Sequence, residues 1–86
     1  MKIKSSLVLR QVLDSWYVIP MVTQTRSECL MKLNETGAML WKLLEQGADL
    51  PELAAALEKE YGISDDQAQQ DVQHFIQKLV ETGCLE

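Results

Sequence analysis

Apolar and polar positions along the chain change period once, near residue 34. Before it the apolar runs are short and β-type. Residues 7–13, Leu-Val-Leu-Arg-Gln-Val-Leu, and residues 16–19, Trp-Tyr-Val-Ile, flank the turn pair Asp14-Ser15. Their β-branched and aromatic content predicts a hairpin. Pro20 has no N–H to give to a ladder and ends or bends the second strand. A polar loop follows over 23–28, Thr-Gln-Thr-Arg-Ser-Glu, and then a third short strand over 29–33, Cys-Leu-Met-Lys-Leu. Side chains alternate along a strand, so Cys29, Met31 and Leu33 share one face while Leu30 and Lys32 share the other.

After Asn34 the spacing becomes helical, and each helix carries its own start and stop. Asn34 is a favoured N-cap, and Leu33 before it can fold back as a hydrophobic staple. The first helix runs about 35–46, buries Leu40, Trp41 and Leu44, and stops at Gly47. Asp49-Leu50-Pro51-Glu52 reads as a capping box with proline in the first turn. The second helix then repeats Leu50, Leu53, Ala54, Leu57 and Tyr61 at helical spacing and ends at Gly62. Ser64-Asp65-Asp66-Gln67 is a second box with two carboxylates at the positive dipole end. The third helix places Ala68, Val72, Phe75, Ile76 and Leu79 on its buried face and ends before Gly83. Three short antiparallel strands followed by a three-helix bundle make one α+β domain over residues 1–86. The second and third helices form a helix-turn-helix pair with the sheet as a wing, a winged-helix-like arrangement.

Charge divides the chain unevenly. The 86 residues carry a net charge of −5. Residues 1–33 hold five cations against two carboxylates, and residues 34–86 hold three lysines against eleven carboxylates. The helical region is therefore acidic, which disfavours nucleic acid as a partner. No apolar run approaches the roughly 18 residues of a membrane span, and no signal-peptide pattern follows Lys2 and Lys4. A cytoplasmic protein with no membrane association is expected.

Candidate chemistry is sparse. His74 has Asp71 at i−3 and Lys78 at i+4, with no nucleophile at meaningful spacing, and reads as a surface residue of the third helix. Cys29 and Cys84 belong to no CxxC or Cys/His cluster, so reduced structural thiols are expected and no metal site. Neither enzymatic activity nor a cofactor is expected. Trp16 and Tyr17 are adjacent on a strand, so one of them should be exposed at a surface open to a partner.

The segment Leu33-Asn34-Glu35-Thr36-Gly37-Ala38 with Leu40-Trp41, then Leu53 to Leu57, Tyr61-Gly62, Asp71-Val72, Phe75, Leu79 and Gly83-Cys84-Leu85, resembles the PqqD-like family over about residues 7–86. These are the RiPP recognition elements, whose type member serves pyrroloquinoline quinone biosynthesis. The resemblance implies a non-catalytic adaptor. It would bind the leader of a ribosomally made precursor peptide and present it to a modifying enzyme, often a radical SAM protein. It also implies that the leader adds as a strand to the third β-strand and packs against the third helix. The site residues it implies are Cys29, Leu30, Met31, Lys32 and Leu33, with Asp71, His74, Phe75, Lys78 and Leu79. Leu30 either packs on the third helix or faces the ligand, and Phe75 and Leu79 are core residues first.

Two rival readings share the fold. A winged-helix DNA-binding regulator would need bases on its recognition helix, where residues 65–82 hold Asp65, Asp66, Asp71 and Glu81 against Lys78. A dimerisation module without peptide ligand would use the same edge strand to pair with its own copy; the chain is expected to be a monomer or a weak homodimer.

Overall fold

The computed structural model describes residues 2–4, 6–20 and 31–85. Three strands precede three helices: β1 (Leu7–Val12), β2 (Ser15–Pro20), β3 (Met31–Leu33), α1 (Glu35–Glu45), α2 (Leu50–Tyr61) and α3 (Asp65–Glu81). The strands form one antiparallel sheet in the order β1-β2-β3. This is the expected α+β arrangement, and the winged-helix description fits it approximately. The expected loop over 23–28 and the first two residues of the expected third strand, Cys29 and Leu30, lie outside the described residues.

The hairpin turns one residue earlier than the composition suggests. Val12 pairs with Ser15, so the loop is Leu13-Asp14 rather than Asp14-Ser15. Leu13, expected in the strand, has φ 57 and is 90% exposed. Two-residue loops match the strand twist only with positive φ at their first position. A side chain with a Cβ adopts that conformation at a cost of about 1–2 kcal/mol. Nor do Trp16 and Tyr17 divide into one buried and one exposed ring, because both are half-buried. Trp16 packs against the core and carries the Lys42 ammonium 4.2 Å from its ring centroid, a cation–π contact. Tyr17 lies across the strands from Arg10 and Lys32, whose long stems share its face.

The helices begin where their caps lie. Asn34 Oδ1 accepts the Gly37 N–H at 2.8 Å. Asp49 Oδ1 accepts the Glu52 N–H, and Glu52 Oε1 accepts the Asp49 N–H, both at 3.0 Å. The box expected at Ser64 is only half made. Ser64 Oγ accepts the Gln67 N–H at 3.2 Å, but the Gln67 amide donates forward to Asp71 Oδ1 at 2.9 Å. A carboxylate four residues on is equally within reach and makes the stronger, charge-assisted bond. Gly62 turns the corner between α2 and α3 at φ 65, its N–H donating to the Glu58 carbonyl at 2.9 Å.

One core joins the two layers. Val18 and Leu33 of the sheet meet Leu40, Trp41 and Leu44 of α1, Leu53 and Leu57 of α2, and Ala68, Val72, Phe75 and Leu79 of α3. Trp41, Leu53, Leu57 and Leu79 are fully buried. Leu50 and Tyr61, expected on the buried stripe of α2, are exposed because they occupy its first and last positions, where the stripe runs past its neighbours. The two ends of the chain are tied together by the Ile3–Leu85 bridge and the Lys4 N–H donating to the Cys84 carbonyl at 2.9 Å.

Candidate functional site

The site grows out of the junction between β3 and α1. A three-residue strand stops abruptly because Asn34 caps the next helix with no linker between them. The staple is tight: Leu33 is buried against Gly37, whose missing Cβ would stand 3.2 Å from Leu33 Cδ2. This holds β3 in a fixed pose against the start of α1. β2 fills one edge of β3, and no other strand pairs with it among the described residues. Such an edge presents backbone N–H and C=O groups to an added strand.

α3 forms the opposing wall. Met31, at the start of β3, meets the end of α3, with Met31 Sδ 3.6 Å from Thr82 Oγ1 and 3.9 Å from Cys84 Sγ. Further along, strand and helix bound an open groove of about 950 Å³. Lys32 and Leu33 line one side, and Asp71, His74, Phe75 and Lys78 line the other, at the i, i+3, i+4 and i+7 spacing of one helix stripe. Phe75 is 8% exposed, so it belongs to the core and offers the groove only part of its ring.

Six of the expected site residues thus come together, two do not, and two lie outside the described residues. Leu79 is 0% exposed and belongs to the core instead of the groove lining. Met31 packs toward Thr82 and Cys84 instead of lining the groove. Cys29 and Leu30 lie outside the described residues. The Cys84 thiol is free and buried.

Sequence reasoning overlooked part of the lining. Asp14 and Ser15 reach the groove from the hairpin turn, and Thr36, Gly37 and Leu40 reach it from α1. Asp14 and Ser15 arrive there because Trp16 pairs with Leu33, a register that no local pattern announces. Gly37 did carry a signal: a glycine inside a helical pattern points to a close approach.

The groove is electrically mixed. Lys32 and Lys78 contribute positive charge, and Asp14, Asp71 and Glu81 negative. Both lysines are exposed, so their contacts act through water. Away from the groove, partial burial pushes the Glu58 carboxyl above its ordinary value of 4.5, helped by a hydrogen bond to Asp65 and by the charge there. Among the described residues no group of three His, Cys, Asp or Glu side chains is placed to hold a metal. No helix among them is long and apolar enough to cross a membrane.

Comparison with protein families matches residues 22–85 to the family described as coenzyme PQQ synthesis protein D (PqqD). Among solved structures the chain is similar to TbiB1 in complex with the TbiA(beta) leader peptide. The TM-score is 0.80 at 26% identity, covering 100% of this chain and 95% of that one. It also shares its fold with lasso peptide synthetase B1 complexed with the leader peptide, at TM-score 0.79 and 19% identity, covering 99% and 95% of the two chains. Comparison with curated proteins finds no match.

Proposed function

This chain belongs to the coenzyme PQQ synthesis protein D family, and from that premise we propose that it is a non-catalytic adaptor for the leader of a ribosomally synthesised precursor peptide. The leader adds as a strand to the open edge of β3 and lies in the groove against α3. A separately encoded modifying enzyme, of the radical SAM class in many relatives, then acts on the peptide so presented. The observation that carries this reading is the juxtaposition of a strand edge, to which no further strand pairs among the described residues, with an open groove between β3 and α3. Strand addition supplies main-chain hydrogen bonds whatever the ligand sequence, while flanking side chains supply the choice. The two similar structures, each solved with a leader peptide, support it.

The groove walls assign roles. Phe75 and Leu33 offer an apolar seat at the base, and Lys32 and Lys78 favour a carboxylate on the peptide. Asp71 and His74 add hydrogen-bonding groups along the same helix stripe. The acidic α3 leaves no basic face for duplex DNA.

Amide chemical-shift mapping tests the reading with a leader peptide that binds the chain. Shifts should concentrate on β3 and on the Asp71–Lys78 face of α3. Shifts confined to the β1–β2 hairpin, or tight and salt-steep binding to duplex DNA in an anisotropy titration, would reject it.

A further inference from the structure

The tip of the β1–β2 hairpin is apolar, exposed and strained at once. Val12 is 55% exposed and Leu13 is 90% exposed. Leu13 also holds φ 57, a conformation that glycine or asparagine would adopt more readily. Leucine there neither eases the turn nor packs into the core, and strain of this kind collects where a side chain is needed for something else. The next two residues, Asp14 and Ser15, line the groove, and Trp16 pairs with Leu33 of β3. The tip therefore stands at the end of the groove where β3 runs into α1.

We propose that Val12 and Leu13 form an apolar contact for the ligand peptide itself, holding the stretch that continues past the strand-paired segment at this end of the groove. The inference rests on the peptide-binding reading. The occupant follows from continuity: a chain leaving the groove here passes Asp14 and Ser15 before it reaches solvent. An added strand lies one strand spacing beyond β3, and therefore about 10 Å from β2 and about 15 Å from Val12 at the end of β1. At about 3.3 Å per residue, some four residues of peptide cover the distance to the turn between β1 and β2. The ligand should then carry a large aliphatic or aromatic residue about four positions outside its groove-bound segment.

A library of fluorescein-labelled peptides of about twelve residues first selects a groove-binding sequence by anisotropy. That peptide is then extended with a Gly/Ser tail at its N-terminus in one series and at its C-terminus in another. A single leucine is walked along each tail. One series should gain about tenfold in affinity when leucine sits some four residues out, the scale expected for burying one such side chain. The other series should gain nothing. Leu13→Gly should erase the gain and leave the unextended peptide unaffected, with a melting temperature at or above that of the parent. Val12→Thr, which keeps the backbone, should reduce the gain. A gain absent from both series, or one that survives both substitutions, overturns the proposal. So does sedimentation showing that Leu13→Gly dissolves a dimer while peptide affinity stays the same, which would make the tip a self-association surface. If no library peptide binds at all, the peptide-binding reading itself falls.

Discussion

Replacing Gly37 with alanine probes the junction that holds β3 in place. Two effects oppose each other. Alanine is the better helix former, worth up to about 1 kcal/mol, and less in a first turn such as this. Against that, the new Cβ would stand 3.2 Å from Leu33 Cδ2, 3.3 Å from Asn34 Oδ1 and 3.3 Å from Leu33 Cβ. Each is tighter than ordinary contact, and neither neighbour can yield freely. Leu33 is 5% exposed and paired with Trp16, and Asn34 is held by its 2.8 Å cap bond to the residue being changed. Crowding a packed site costs about 1–3 kcal/mol, and a weakened cap about 1 kcal/mol more. The net expectation is a loss of about 1–3 kcal/mol. In a domain of this size each kcal/mol corresponds to about 4–8 °C in melting temperature. Urea denaturation monitored by tryptophan fluorescence, with and without Asn34→Ala, measures it. The two substitutions should combine to less than their sum, because each damages the same cap. A Gly37→Ala variant as stable as the parent or more so would show that the staple is loose and that β3 is not held by it.

Further expectations concern charge, core and groove. Glu58→Gln should raise the melting temperature at neutral pH. The Glu58 pKa is raised in the fold, so its favourable contribution is complete below the ordinary value of 4.5 and is lost as pH rises through the folded value. A thermal-melt pH series should therefore show parent and variant converging toward acid, and a gap that widened there would refute it. Trp41→Phe should cost less stability in denaturant than Leu40→Ala. The Trp41 indole N–H is buried without a hydrogen-bond partner among the described residues, so losing it offsets part of the lost volume. In anisotropy titrations Lys78→Ala should weaken leader binding by less than about fivefold, and less again at high salt. Phe75→Leu should weaken it by about tenfold. The reverse ordering would replace an apolar seat with an electrostatic dock.

Much of this architecture can be read from local chemistry. Asn34, Asp49 and Ser64 mark the helix starts, and Gly62 marks a corner, because caps and left-handed turns are satisfied by residues within four positions of one another. The stripe Leu53, Ala54 and Leu57 and the stripe Ala68, Val72, Phe75 and Leu79 follow from helical period alone. The stripe Asp71, His74, Phe75 and Lys78 along one groove wall follows from the same period. Long-range placement is different. The register that sets Trp16 opposite Leu33 brings Asp14 and Ser15 to the groove, and it depends on pairing between segments that do not adjoin in the chain. The rotation of α3 that hides Leu79 while leaving part of Phe75 accessible is set by which neighbours fill the core. Period assigns residues to a face, and only packing decides where the edge of that face meets solvent. For this protein that edge is where the groove lies.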